Sequence, residues 1–363
     1  MNDTHRHRVI FIDLARALAV VLMIAGHTSS ALLDPRYRAG PWADAWDFQR
    51  GLTSALFLLL AGFAFSVATT RHWAVHLRLS AAFGRRVRRF ALFVLLGYAL
   101  HFPVPHVAEL ASATDAQWRS FLAVDVLELV GVSLLAVQAL VLAARRRSVF
   151  AAASFGIAVA LVALTPYMWG VDWTARLPTA AAAYLSPGTG SLFPLFPWAA
   201  YIFIGAGTGQ IYSRWGAAHL AAFARWGMLA PGLALVVLAL TLGSGVPGDV
   251  MLRTGCCFLI LGAVAHLSPY IGQLPYVFGA VAQESLIVYF VHLCIVYGSI
   301  WSPGLATFYG EALGPAPTVL LVAALLVAMV ALAWQWNRLK HQRPRLARRL
   351  SVVAAIVLAG WLI

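Results

Sequence analysis

The stretch IDLARALAVVLMIAGHTSSALLD (12–34) decides how this chain is read. It is apolar and long enough to cross a bilayer, yet it carries Asp13, Arg16 and His27. Lipid makes each of these costly, and ionisable residues inside a span are functional candidates by default. On a helix of about 3.6 residues per turn, His27 returns to nearly the same face as Asp13 and Arg16. The three therefore form one polar stripe about 20 Å long, at 1.5 Å per residue. Asp13 and Arg16, three residues apart, also suit a local pair near the membrane interface. That pairing leaves His27 unexplained, because it has no local carboxylate. A histidine in a span also serves as an interhelical hydrogen bonder.

Working outward, apolar runs of similar length recur to the end of the chain. Of its 363 residues 61% are hydrophobic and only 11% charged, well below the ~25% of soluble domains. Spans are expected near 9–32, 51–70, 87–104, 121–143, 148–168, 193–212, 227–244, 250–268, 276–300 and 316–336. The run 350–363 is short for a crossing and suits a tilted or interfacial segment. The expected fold is an all-α polytopic transmembrane helix bundle of about 10–11 spans in a single integral domain, 1–363. The basic start HRHR (5–8) resembles a signal peptide. The long run that follows, with its Asp13 and Arg16, reads instead as an uncleaved first span.

The charge sets the orientation. With the N-terminus in the cytoplasm, inside segments hold 19 of the 26 Lys and Arg, and outside loops together with Arg253 at the outer end of its span hold six. The reverse topology would invert that bias. GRRVRR (84–89), RRR (145–147) and RLKHQRPRLARR (338–349) carry most of it. The net charge of +13 is thus a topological signal, and nothing builds a soluble basic groove for nucleic acid. Cys256, Cys257 and Cys294 lie in apolar runs without metal-like spacing, as packing residues do.

Three further groups are chemical candidates. Asp125 and Glu128 sit in AVDVLELVGVSLL, at an outer depth similar to His27, where a carboxylate can hold an imidazole in one tautomer. A bridge to Arg119 or an interfacial position suits them as well. AQESLIVYFVHLCIVYG places Ser285, Tyr289 and His292 on one helix face, with Glu284 at the depth of Arg16 as its prospective ion-pair partner. The outer loop 33–50 carries Trp42 and Trp46, which suit sugar contacts and suit an interfacial aromatic belt equally. Gly62 and Ser66 are small residues at a spacing that lets helices approach, and Gly205, Gly207 and Gly209, after Pro194 and Pro197, favour close helix packing or a broken helix around a ligand. GAGTG (205–209) lacks the lysine of a phosphate loop, and no nucleophile elbow, HExxH or dinucleotide fingerprint is present.

RALAVVLMIAGH (16–27) resembles the first-span motif of acyltransferase family 3. IDLARALAVVLM, LTSALFLLLAGFAFS, RRVRRFALFVLLGY, DVLELVGVSLL, FPLFPWAAYIFIGAGTGQIY and SLIVYFVHL are together similar to bacterial relatives of heparan-α-glucosaminide N-acetyltransferase in the same superfamily. One departure is Ala17, where the D-x-x-R-G pattern has glycine. The resemblance implies an enzyme of the bacterial inner membrane with no bound cofactor. It would move an acetyl group from cytoplasmic acetyl-CoA to an extracytoplasmic glycan or amino sugar. It makes His27 the general base or acetyl carrier and puts Arg16 in a structural role or at the CoA end. Asp13, Asp125 and Glu128 join the catalytic candidates, and Ser285, Tyr289, His292, Trp42 and Trp46 the acceptor-binding ones.

The residues are compatible with that chemistry. A histidine titrates where acetyl transfer needs a base or nucleophile. Arg85, Arg86, Arg88 and Arg89 lie on the cytoplasmic side, where guanidinium groups grip phosphates well. Positive-inside topology alone would also put them there. No metal is required. The rival readings are a secondary transporter, proton-coupled through His27, Asp125 and Glu128, and a scaffold without catalysis. The acceptor and the oligomeric state are not encoded in any motif.

Overall fold

The computed structural model describes residues 9–271 and 275–361. Residues 1–8, 272–274 and 362–363 lie outside them, and with them the HRHR start and the tip of the 350–363 run. In chain order the principal helices are α1 (Ile10–Leu32), α2 (Pro41–Arg71), α3 (Ala81–Leu100), α4 (Val126–Ala144) and α5 (Arg147–Gly170). There follow α6 (Leu195–Ile211), α7 (Leu220–Leu242), α8 (Gly245–Leu267), α9 (Tyr276–Gln283), α10 (Ser285–Val296), α11 (Pro315–Gln342) and α12 (Pro344–Gly360). The architecture is the all-α polytopic bundle expected. Among the described residues seven helices are long and apolar enough to cross a membrane, or eight if α9 and α10 count as one span. The helix α3 falls outside that group because it carries GRRVRR, and α6 because it has only 17 residues.

Several expected boundaries shift for local reasons. The helix α4 begins at Val126, not at 121, because Asp125 and Glu128 form a capping box that closes its first turn. The Asp125 side chain accepts from Val126 N at 2.7 Å, and Glu128 Oε2 accepts from Asp125 N at 3.2 Å. The expected span 276–300 breaks at Glu284, where φ −96° and ψ 18° interrupt the helix, and α9 and α10 meet at 73°. The chain then turns through a short antiparallel pair, Gly298–Ser299 with Ser302–Pro303. Pro344 lacks the N–H needed to continue α11 and opens α12 instead.

The described residues form two compact units. The first comprises the chain up to Thr53, Leu100–Trp118 and everything from Ile271. In it α1 packs against α9, α10 and α11. Leu33 and Leu313 form a parallel bridge that ties the end of α1 to the start of α11, with Leu313 N donating to Leu32 O at 2.9 Å. Asp34 N returns a 2.9 Å bond to Leu313 O, and an ion pair with Arg36 holds the Asp34 carboxyl below the usual carboxylate range. Arg16 lies beside Ala282 and His27 beside His292, so α1 and the broken pair α9–α10 are passed in the same order along the chain.

The second unit comprises Ser54–Ala99 and Arg119–Tyr270. Its core rests on helix backbones in direct contact. A β-carbon on Gly62 would run into the carbonyl oxygen of Ile202, and one on Gly205 into that of Leu59. The helices α2 and α6 therefore interlock glycine to backbone at two successive levels. Between lipid-facing helices no hydrophobic effect drives association, so such van der Waals packing is what holds them. Gly232 and Gly255 repeat the arrangement between α7 and α8. The close-packing reading of Gly62 and Gly205 is thus what the structure contains.

Candidate active site

In the first unit α1 presents Asp13, Arg16 and His27 half-buried on the face it packs inward. Their surroundings come from the chain's far end. His27 Nδ1 lies 2.9 Å from His292 Nε2, with the two ring planes 4° apart. His292 is fully buried, and its Nδ1 lies 2.8 Å from the Val288 carbonyl one turn back on α10. A carbonyl only accepts, so His292 Nδ1 carries the proton and, in the neutral ring, its Nε2 accepts. The proton between the rings then belongs to His27 Nδ1, which leaves His27 Nε2 with a free lone pair. The chain Val288–His292–His27 fixes a tautomer by geometry alone.

Tyr289 meets His27 edge-on at 6.4 Å and His292 at 5.6 Å. Tyr297 meets His27 edge-on at 5.9 Å, and its hydroxyl donates to His27 O at 3.3 Å. Ser285 is half-buried on α10, about 10 Å along the helix from His292 at 1.5 Å per residue. Of the acceptor-side candidates, the structure thus brings Tyr289 and His292 to His27 and leaves Ser285 nearly two turns away. Trp42 is 89% exposed and Trp46 half-buried near the start of α2.

Glu284 takes a different partner from the one expected. Its carboxylate pairs with Lys340 of α11 and accepts from Asn337 Nδ2 at 2.9 Å, whereas Arg16 reaches the Ala282 carbonyl at 3.4 Å. That carbonyl belongs to the last turn of α9, where the helix dipole favours a cation. The break in the helix thus serves both residues. It exposes carbonyls to Arg16 and turns Glu284 toward α11. Lys340 sits in a basic run that reads from sequence as topology, so this pairing had no local signature. Tyr297 is next to last in the quoted AQESLIVYFVHLCIVYG, but its spacing gave no sign that it reaches the backbone of α1.

The remaining candidates lie in the second unit. Glu128 is completely buried against Gly97, where a β-carbon would collide with its carboxyl group. Its Oε1 has no hydrogen-bond partner. Nearby, the Tyr98 and Tyr184 hydroxyls are 3.2 Å apart. Of the four arginines of α3, Arg85, Arg88 and Arg89 are exposed and only Arg86 turns inward. Its Nη1 donates to Thr69 Oγ1 at 2.8 Å and to Gln138 Oε1 at 3.1 Å. A separate cavity of about 370 Å³, lined by Trp169, Trp198, Tyr201 and Asp249 among others, contains none of the expected site residues.

A family model described as heparan-alpha-glucosaminide N-acetyltransferase, catalytic, matches residues 8–240. The chain belongs to that family. Membership and the apolar helices together make it an integral-membrane acetyltransferase. The match spans Asp13, Arg16, His27, Asp125, Glu128 and all four arginines of α3. It stops before Ser285, Tyr289 and His292, so the partner of His27 comes from outside the family's matched stretch. No curated protein matches the chain.

Proposed function

We propose that the protein moves an acetyl group from cytoplasmic acetyl-CoA to an amino sugar or other glycan on the far side of a bacterial inner membrane, with His27 as its base. The observation that carries this reading is the chain Val288 O, His292, His27, which leaves His27 Nε2 as a lone pair held in one orientation. As the acceptor's amine or hydroxyl attacks the thioester carbonyl, His27 Nε2 takes the proton. The C–S bond breaks, and the CoA thiolate leaves and is reprotonated. A positioned general base contributes typically about 10²–10⁴-fold to such a step. The same lone pair can instead attack the thioester and carry the acetyl group, so both routes need this tautomer. His292 is then a positioning residue rather than an acceptor-binding one. Tyr289 and Tyr297 wall the imidazole edge-on, and Arg16 braces α1 against the broken helix.

The family assignment supports transfer of an acetyl group, and the positive-inside charge pattern supports a donor arriving from the cytoplasm. The test is CoA release from acetyl-CoA by purified protein in nanodiscs, with and without glucosamine-type acceptors. Release by the wild type that His27→Ala loses while remaining folded is the expected result. Equal release by both proteins would remove His27 from the chemistry.

A further inference from the structure

We infer that Arg50 is a catalytic residue of the His27 site, and that its guanidinium binds the oxyanion formed on the acetyl carbonyl. This rests on the acetyl-transfer reading and names a further residue for the same site. Arg50 lies in the first half of α2 and belongs, with α1, to the first unit. The helix α2 passes α1 at Gly26, the residue before His27. A β-carbon on Gly26 would sit 3.3 Å from Arg50 Cγ and 4.0 Å from its Cδ and Nε. The aliphatic stem of Arg50 therefore runs over Gly26, the one glycine of α1. Glycine inside a helix is destabilising relative to alanine. Here it leaves room for the stem that carries a guanidinium toward the neighbouring imidazole. The charge of Arg50 is close enough to act on His27.

The guanidinium is anchored at one corner and open elsewhere. Arg50 Nη1 donates to Asp47 Oδ1 at 3.0 Å, a carboxylate one turn back on α2 that steadies the fork. Its remaining N–H groups have no hydrogen-bond partner among the described residues. The Arg50 side chain keeps 40% of its surface, so a ligand can reach them. Other polar neighbours of His27 are already engaged. His292 Nε2 accepts the His27 proton, and the Tyr297 hydroxyl donates to His27 O. Arg16 lies 11 residues away on α1, about 16 Å at 1.5 Å per residue, and reaches the Ala282 carbonyl. Attack on a thioester moves the carbonyl π electrons onto oxygen, and that charge needs a donor fixed in advance. The adduct collapses by re-forming C=O and expelling the CoA thiolate, while Arg50 stays protonated throughout. Direct attack by the acceptor makes one such oxyanion. Transfer through an acetylated His27 makes two in succession. Either route puts the charge beside the His27 ring, within the field of Arg50.

The experiment follows CoA release from acetyl-CoA, with glucosamine as acceptor, by full-length protein in nanodiscs. Arg50→Gln should lower kcat by about 10²–10³-fold and leave the acceptor KM within about threefold of wild type, because the contact exists only in the transition state. Arg50→Lys keeps the charge without the planar fork and should fall between the two. Guanidinium ion added at millimolar concentration should restore part of the rate of Arg50→Ala and none of that of His27→Ala, a response that a merely structural arginine would not give. Melting temperatures establish which variants are folded. Arg50→Lys, which preserves the stem over Gly26, keeps the test decisive if Arg50→Gln unfolds. Wild-type kcat in a folded Arg50→Gln overturns the assignment. So does a raised acceptor KM with kcat retained, which would make Arg50 a recognition group for the acceptor. A wild type that releases no CoA from acetyl-CoA overturns the acetyl-transfer reading, and this role with it.

Discussion

Lys340 reaches both carboxylate oxygens of Glu284, at 2.9 and 3.0 Å, in the break between α9 and α10. Glu284 is 5% exposed, whereas the Lys340 side chain keeps 46% of its surface. Removing the lysine therefore strands a buried charge. Lys340→Met should destabilise the protein by about 2–3 kcal/mol, less than for a fully buried pair because the ammonium is partly solvated. Adding Glu284→Gln should recover part of that loss, since the amide can still engage Asn337. Thermal melts of the single and double variants in detergent check the sign. A double variant weaker than Lys340→Met alone would contradict it.

The His27–His292 contact predicts a graded series. His292→Leu removes the acceptor for His27 Nδ1–H and should lower acetyl transfer by about 10²-fold. His292→Gln places an amide oxygen near the position of Nε2 and should retain much of the rate. Nitrogen-15 spectra of labelled histidine should show His27 protonated on Nδ1 in wild type and tautomerically mixed in the leucine variant. Equal rates and spectra in all three would show that His292 only fills space.

Glycine replacements should divide by what a β-carbon meets. Gly62→Ala and Gly205→Ala drive a methyl into a backbone carbonyl that cannot move alone, at a cost of roughly 1–3 kcal/mol or more. Gly156→Ala, in α5 with open space beside it, should be neutral or stabilising by about 0.5–1 kcal/mol. Melting temperatures of the three variants rank the positions directly.

His76 predicts a pH dependence. Burial, ahead of the charges of Arg86 and His72, pushes its pKa from 6.5 down to about 4. Between those values the unfolded chain binds a proton that the folded chain refuses, so stability falls as pH falls through this window. Above pH 6.5 the contribution is constant. His76→Gln should flatten the wild-type decline in melting temperature between pH 6.5 and pH 4. A variant whose slope matches wild type would show that His76 is freely protonated.

What sequence revealed here followed the range of the interactions. Apolar runs locate the helices, because lipid leaves the backbone few alternatives. The stripe of Asp13, Arg16 and His27 is legible because helical periodicity is local. So is the equal depth of Arg16 and Glu284, since both follow from counting along spans. Their pairing was not legible: Arg16 found a carbonyl of the broken helix and Glu284 found Lys340. Asp125 and Glu128 could have been read as the start of α4, because D-x-x-E before an apolar run is a capping pattern. Placing them in the outer part of a span that starts at 121 hid that boundary. His292 stood out as a membrane histidine, but nothing in its neighbourhood points to a ring 265 residues away.

That separation also orders events during synthesis. The helix α1 leaves the ribosome well before α9 and α10, and its contacts with Ala282 and His292 cannot form until those helices have been made. At roughly 5–20 residues per second, the 265 residues between the two histidines correspond to about 13–50 s. For that interval the membrane holds a helix whose arginine and histidine await these partners. The nascent protein must therefore tolerate, as a transient of its birth, the same polar stripe that its finished form puts to use.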